Sequence, residues 1–552
     1  MKIRRRRGGR TAMFAEVRRA IRLARASNQP GAPPVDELIE MDRERRLTRR
    51  DFLRTSLATV GAAALARTAP SWLLSAEAAA QPRIVIVGAG IAGLNAAYHL
   101  RNAGLRAAIY EGSTRTSGRM YSLKNVMGPN LVTEFGGEFV DSDHKDMLAL
   151  VRRFGLSLID TFAPSEEKLN RTFYFGGAHY SQRQVIEALR PFAKIMATDD
   201  NKVPDDVGYQ HPGGPQVVAL DRMSIDEYLR KIGVRGWLYD FLTIAWVNED
   251  GLDSDQQSAL NLIGEIGTTF GPHDQWDLYG ESDQRYKIRG GNQQVPDLLA
   301  DYVRSDINLG YKLVAIRPRG RGVTLSFAKS GSGTVDVGAD IAVITIPFTT
   351  LRDVDISVPL PPIKWKAIRE LGYGTNSKLF LGFQTRLWRG QGYTGEMYSD
   401  LPLQCGWDNT QLQPGTLGGY TIFFGGRSGT LQRQRTARQR AAEYLPQLNR
   451  IYRGAAAEFN NRVARMDWPA YPWIKASYSA YKPGQTTGIS GAERLTVGPL
   501  FFAGEHTSDF QGFMNGGAES GRVAAEAVLH RLGRRSLVPM LREAMFGRAA
   551  AG

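Results

Sequence analysis

The sequence predicts an α/β fold: a Rossmann-like dinucleotide-binding domain with a β-meander, interleaved with a mixed α+β domain. Three observations predict it. Arg83–Val87 is a short, mostly β-branched run that reads as a buried strand and leads straight into Gly88-Ala89-Gly90-Ile91-Ala92-Gly93. A helical stretch and a second strand follow, with Glu111 at the strand's end, 23 positions after Gly88. More than 380 residues further on, Thr496–Glu505 offers another strand closed by Gly504-Glu505, which reads as the far end of the same site. A lone GxGxxG is weak evidence, but strand, turn, helix, strand and acid in this order are a much stronger signal.

Each position in the turn has a physical reason. Gly88 permits the tight turn, Gly90 lets backbone approach a pyrophosphate, and Gly93 lets the helix pack close to its strand. The diphosphate then rests on helix N–H groups that lack intrahelical partners. Glu111 accepts hydrogen bonds from the hydroxyls of an adenosine ribose, and its charge disfavours a 2′-phosphate. The plain alternative is a glycine-rich turn with no ligand.

Residues 1–80 read as a leader. Thr48-Arg49-Arg50-Asp51-Phe52-Leu53-Arg54 resembles a twin-arginine export signal. A weakly apolar stretch to Leu74 follows, then Ala76-Glu77-Ala78-Ala79-Ala80, with cleavage expected after Ala78 or Ala80. Arg67 and Pro70 argue against a spanning helix, which needs about 20 apolar residues. A twin-arginine translocase and a periplasmic or secreted location follow as expectations; an ordinary basic tail is the alternative. Met13 and Met41 are alternative starts. The leader holds 17 Lys/Arg and 8 Asp/Glu, a net of +9. The rest holds 70 − 17 = 53 basic and 55 − 8 = 47 acidic residues, a net of +6, which is no nucleic-acid footprint. Cys405 is the single cysteine, so no disulfide within the chain and no thiolate metal site is expected, and the 7 His show no metal-ligand spacing.

The remaining residues exceed one core, so discontinuous domains are expected. The dinucleotide-binding domain takes residues 82–158, 285–353 and 471–533; the second domain takes 159–284 and 354–470; 534–552 form a tail. Ser181–Met196 and Ile225–Val247 read as helical, and Pro204–Pro215 as a surface loop. Tyr286-Lys287-Ile288-Arg289-Gly290-Gly291-Asn292 opens a helix through Leu298-Leu299. Lys312–Ile316, Val323–Phe327 and Ile341–Ile346 read as the strands of the meander, with glycine-rich turns between them.

Five segments then carry a family resemblance. They are Gly88–Gly93 with Glu111; Arg115-Thr116-Ser117-Gly118-Arg119; Glu134-Phe135-Gly136-Gly137; Gly290-Gly291-Asn292; and Phe502-Ala503-Gly504-Glu505 with Gly512-Phe513-Met514-Asn515-Gly516-Gly517. The chain resembles the flavin-containing amine oxidases, the group of monoamine, polyamine and L-amino-acid oxidases. The one departure is Ser117, where the family usually has glycine. The resemblance implies a glutathione-reductase-type FAD domain and a cofactor set of Gly88, Gly90, Ala92, Gly93, Glu111, Arg119, Gly136, Gly137, Val314, Gly504, Glu505, Phe513 and Met514. Glu505 then bonds the flavin ribityl or phosphate region, Arg119 lies against pyrophosphate and flavin, and Val314 meets the adenine through its backbone. Ser477 stands where monoamine oxidases have the cysteine that binds flavin covalently, so noncovalent FAD is implied.

Lys378 interrupts an apolar strand, and an unpaired buried ammonium is costly. The family's matching lysine bonds a water beside flavin N5; the alternative is a lysine guarding a sheet edge. Tyr478 and Phe513 match the two walls of an aromatic cage whose ring faces hold an amine over the flavin. Phe139 falls where amino-acid oxidases carry a carboxylate-gripping arginine, and Asp141 where polyamine oxidases carry an acid. Glu138 and Asp141 are substrate-side candidates or solvated loop acids, and Asp143-His144-Lys145 reads as a polar helix start. The resemblance thus implies oxidation of a small-molecule amine to an imine, with oxygen (giving hydrogen peroxide) or a periplasmic carrier as acceptor. An L-amino-acid oxidase gripping its carboxylate with Arg289 or another arginine is one alternative. A non-catalytic flavin-fold binding protein is another. A homodimer is compatible with all three.

Overall fold

The computed structural model describes residues 12–43, 81–265, 283–329 and 331–534. Thr48–Arg54, the cleavage positions Ala78 and Ala80, and the tail beyond Arg534 lie outside the described residues.

Ile84–Val87 is Ile-Val-Ile-Val with all four side chains buried, as a strand covered on both faces requires. It is the middle strand of a five-stranded parallel sheet ordered Leu500–Phe502, Ile341–Ile344, Ile84–Val87, Ala107–Glu111, Ile307–Leu309. The register Ile84↔Ile341 and Ile344↔Phe502 puts the first and last strands of the chain two strands apart. The helix Ile91–Asn102 packs against Met514–Arg531. This brings the Gly88–Gly93 turn beside Gly517 and Gly521; a Cβ on Gly521 would lie 2.2 Å from the Ala92 carbonyl oxygen.

The meander differs from the sequence expectation in its third strand. Tyr311–Arg319, Gly322–Lys329 and Gly333–Ala339 form it, antiparallel, while Ile341–Ile344 belongs to the parallel sheet. The reason is solvent. Ile-Ala-Val-Ile is buried on both faces, whereas Gly333–Ala339 exposes Thr334 and Asp336 and hides little besides Ala339.

The second region is a seven-stranded sheet ordered Phe459–Asp467, Ser377–Phe383, Gly418–Phe424, Cys405–Asp408, Tyr393–Ser399, Asn170–Phe175, Ala178–Tyr180. Helices Gln182–Asp200 and Gly236–Asp250 contribute to the apolar cluster on one side of it. Ser181 caps the first by accepting the Gln184 N–H, and Gln184 returns the bond. The expected helical stretch Ile225–Val247 breaks into Ile225–Lys231 and Gly236–Asp250, with Gly233 at φ +86 between them and Gly236 at φ +62 opening the second. Residues 204–214 form no helix or strand and are mostly exposed, although Val207 and Gly208 are buried.

Residues 12–43 depart most from expectation. Read from sequence as part of a leader, they form a helix, Ala12–Ala26, and a second helix over 35–43, both folded against the helical cluster.

Candidate active site

A cleft of ≈ 1700 Å³, measured with its open mouth, runs between the parallel sheet and the seven-stranded sheet. At one end it is lined by Gly88, Gly90, Ile91, Ala92 and Glu111. Gly88 takes φ +107, which favours glycine. Gly93 lies behind the wall, where a Cβ would sit 2.0 Å from the Gly88 carbonyl oxygen. The helix Ile91–Asn102 has no side-chain cap, so its first N–H groups face the cleft. The Glu111 carboxylate accepts from the Ala89 N–H at 2.8 Å and the Ser113 N–H at 2.8 Å, tying the turn to the strand end.

Ser117 holds φ +77, the conformation that explains glycine as the family's usual choice there. Its hydroxyl donates to Asp297 at 2.7 Å. Gly118 and Arg119 line the middle of the cleft. Arg119 donates to Glu505 at 2.9 Å and to the Ser477 carbonyl at 2.8 Å. Glu505 also accepts from the Ser479 hydroxyl and the Gly512 N–H. Burial alone would raise its carboxyl, but Arg119 and these donors hold it down at about 2. Glu505 therefore lines the cleft as a charge already engaged by protein groups. Val314 does not line it; Tyr311, Lys312 and Leu313 do.

At the other end the lining is Gly136, Gly137, Glu138, Phe139, Asn376, Lys378, Tyr478, Phe513 and Met514, joined by Trp407, Phe423 and Trp468. The Tyr478 hydroxyl donates to the Glu249 carbonyl at 2.7 Å, which fixes its ring. Trp407 stands edge-on to Phe139 at 6.1 Å and tilted against Phe423 at 5.4 Å. Trp407 and Phe423 carry no motif. They sit on paired strands of the seven-stranded sheet, and only that pairing brings them here.

Lys378 is buried and donates to the Glu134 carbonyl at 3.1 Å, the Gly136 carbonyl at 2.9 Å and Glu138 at 3.3 Å. It is not an edge lysine, because Ser377–Phe383 is paired on both sides. Glu138 is neither solvated nor open: its other oxygen takes Lys287 at 2.7 Å. Burial would push Glu138 up, yet the two lysines hold it below the usual carboxylate range. Burial pulls Lys378 below the ordinary lysine value, opposed by Glu138. Lys287 was overlooked in the sequence, although a lone lysine between Tyr286 and Ile288 carries the same signal as Lys378.

Asp141 is buried outside the lining. It accepts the Gln284 N–H at 3.0 Å, and its other oxygen lies 3.3 Å from His144 Nε2. The helix Lys145–Arg153 starts where expected, but His144 before it is buried rather than solvated. Burial pushes His144 down to about 3, so the ring is neutral. It packs edge-on against Phe513 at 4.8 Å. Among the described residues, Asp141 thus reaches the site through His144 and Phe513. Asp141, Asp143 and His144 bring ligand-type atoms within 4.8 Å of one another, a grouping the sequence spacing did not flag. His144 Nδ1 already accepts the Asp141 N–H at 3.0 Å.

Comparison with known proteins agrees with this geometry. The family described as flavin containing amine oxidoreductase matches residues 91–529. An L-amino-acid oxidase of Bothrops pauloensis is 23% identical over 462 residues, covering 81% of this chain and 88% of that protein. Among solved structures, cyclohexylamine oxidase from Brevibacterium oxydans IH-35A superposes with TM-score 0.70 at 23% identity, covering 82% of this chain and all of the other. Wild-type putrescine oxidase bound to putrescine gives TM-score 0.69 at 21% identity, covering 82% and 99%.

Proposed function

The chain belongs to the flavin-containing amine oxidoreductase family, and from that premise we propose that it oxidises the C–N bond of a small amine with noncovalently bound FAD. It is a flavin-dependent oxidoreductase. The residues present fit the cofactor. The uncapped helix end at Gly90–Ala92 suits a diphosphate, and Gly90 leaves it open space, since a Cβ there would meet nothing nearer than Gly118 Cα at 3.8 Å. Ser477 cannot form the thioether expected of a cysteine, and no Cys or His is among the described lining residues.

FAD, when bound, supplies the two-electron oxidation. The protein's part is binding, orientation and a dry site. Tyr478 and Phe513 select and aim a neutral amine, and Phe139, Trp407 and Phe423 exclude water behind it. Lys378, whose three N–H groups are engaged by the Glu134 and Gly136 carbonyls and by Glu138, would exchange one of these contacts to order a water or donate a proton during reoxidation by oxygen or a carrier.

One observation carries the choice of an amine: among the described residues, the aromatic end offers no open guanidinium. Arg119 is engaged by Glu505 and Ser477, Arg115 donates to the Thr116 and Gly118 carbonyls, and Arg289 is exposed and away from the cleft. A carboxylate would be buried there without its natural bidentate partner. The L-amino-acid oxidase reading keeps one observation in its favour, the curated relatives of that name.

Anaerobic titration of the yellow protein separates the two. Bleaching near 450 nm (approximate for oxidised flavin) by an amine, and not by the matching α-amino acid, supports the proposal. The reverse result moves the protein to the amino-acid oxidases, and a flavin that neither substrate bleaches sinks both. Lys378→Met is expected to keep FAD and slow reoxidation at least about tenfold, equivalent to ~1.4 kcal/mol in the barrier. Unchanged stopped-flow reoxidation would remove Lys378 from the chemistry.

A further inference from the structure

We infer that residues 12–43 are a permanent part of the folded protein, docked on the helical side of the second region, so that Thr48–Arg54 lies between two folded parts rather than inside a disposable leader. The inference is independent of the substrate.

The sequence of the first helix already asks for a partner. Val17, Ala20, Ile21 and Ala24 recur at i, i+3, i+4 and i+7, one face of an α-helix. All four are at most 1% exposed, and Leu23 is 2% exposed. They join one apolar cluster with Val185, Ile186 and Leu189 of Gln182–Asp200, Trp246 of Gly236–Asp250 and Tyr398 of the sheet. A cleavable leader has no reason to complete an enzyme's core at this level of burial.

The polar contacts are as specific as the apolar ones. Glu16 is buried, 3.3 Å from Arg171, whose guanidinium also donates to Glu396 at 2.7 Å. Gln182 donates to Glu16 at 3.2 Å. Arg19 pairs with Asp42 at 2.6 Å, joining the first helix to the second. Asn28 and Arg190 bond reciprocally: Asn28 Nδ2 to the Arg190 carbonyl at 2.7 Å, and Arg190 Nε to Asn28 Oδ1 at 3.2 Å. Arg183 reaches Asp36. Removing the segment would uncover an apolar stripe of Gln182–Asp200 and take one counter-charge from Arg171. Large uncovered apolar patches are rare on soluble proteins.

The segment is retained in either of two forms: one uncut chain, or a separate piece held in place after cutting near Ala78–Ala80. The test is to express the full chain with a C-terminal tag in a host with twin-arginine export and isolate the yellow fraction natively. Its components are then weighed by denaturing mass spectrometry. Residues 12–43 are expected in that fraction, in the same chain or as a co-eluting fragment. Ile21→Asp in the full chain is expected to lower the melting midpoint by roughly 5 °C or more and to open the segment to protease. A yellow fraction that begins between residues 79 and 83, holds no N-terminal fragment and melts like the full chain would overturn the inference. An Ile21→Asp protein that melts like its parent would do the same. The flavin-bleaching assay on either fraction reads the proposed activity separately.

Discussion

At the nucleotide end of the cleft the wall is backbone: Gly88, Gly90 and Ala92 line it, and Gly93 sets the distance between helix and strand. At the substrate end the wall is side chain: Phe139, Lys378, Trp407, Phe423, Tyr478 and Phe513, gathered from segments that meet only in the folded protein. The first end is fixed by local conformation and close approach, so small changes there act on folding or on cofactor binding as a whole. The second depends on buried charges balancing one another at long range, so changes there should be graded and sensitive to pH.

The largest effect separates two glycines three residues apart. A Cβ on Gly93 would lie 2.0 Å from the Gly88 carbonyl oxygen, and backbone cannot yield by that much. Gly93→Ala is expected to cost about 4 kcal/mol or more, in the range of severe core disruption, and to give no folded yellow protein. Gly90→Ala meets only Gly118 Cα at 3.8 Å, so the apoprotein should fold while FAD binding falls. If both variants fold and both stay yellow by gel filtration and absorbance, the backbone wall is misread.

The substrate end breaks at its charges. Glu138 stands between Lys287 at 2.7 Å and Lys378 at 3.3 Å, with all three side chains buried. Glu138→Ala leaves two buried ammonium groups without that counter-charge, and removing one partner of a buried ion pair typically costs about 3–5 kcal/mol. The denaturant midpoint should fall accordingly, and Glu138→Ala with Lys287→Met should recover part of the loss. A cost under about 1 kcal/mol would place these lysines in a solvated setting instead.

Glu134 sharpens the same contrast through pH. Burial pushes its carboxyl up to about 7, helped by Glu138, against the hydrogen bonds from Ser122 and the Asn292 N–H. The folded value exceeds the unfolded one, so the folded state holds a proton that the unfolded state has lost. Stability relative to a neutral residue is therefore full below the ordinary carboxyl range and declines as pH rises through about 7. The gap between the wild type and Glu134→Gln should move by up to about 3 kcal/mol between pH 4.5 and 8. A gap that stays constant across that range would show Glu134 titrating in the folded protein as it does in the unfolded chain.

The same contrast explains what was legible in the sequence. The parallel sheet announced itself through Ile84–Val87, which is apolar on both faces and leads into a glycine turn, whereas Ile341–Ile344, equally apolar, was read as a strand of the meander. Gly333–Ala339 was missed although Val335, Val337 and Ala339 alternate with Thr334, Asp336 and Gly338, because the glycine-rich run that opens it reads as a turn. Lys378 was legible as an anomaly in its strand, but its anchor Glu138 was not, since the pair is 240 residues apart. Trp407 and Phe423 were silent because register, not motif, brings them to the cleft. The helix Ala12–Ala26 was masked by the arginine motif downstream, which made everything before it look like leader.

Glu111 lies where the two kinds of wall meet, and it has the smallest expected effect. Its side chain is set by backbone, accepting the Ala89 and Ser113 N–H groups at 2.8 Å each, yet it faces the cleft as a charge. If it only braces the turn, Glu111→Ala and Glu111→Gln should differ in stability and leave FAD affinity alike, because the amide oxygen keeps one of the two bonds. If it also accepts the ribose hydroxyls, Glu111→Ala should weaken FAD about tenfold, as loss of a part-exposed charged hydrogen bond does, with Glu111→Gln between it and the wild type. Titration of the apoprotein with FAD, followed by flavin fluorescence, measures both. Equal affinities in all three proteins would leave the turn's glycines and helix N-terminus as the whole of the nucleotide grip, and would make that end of the cleft backbone without exception.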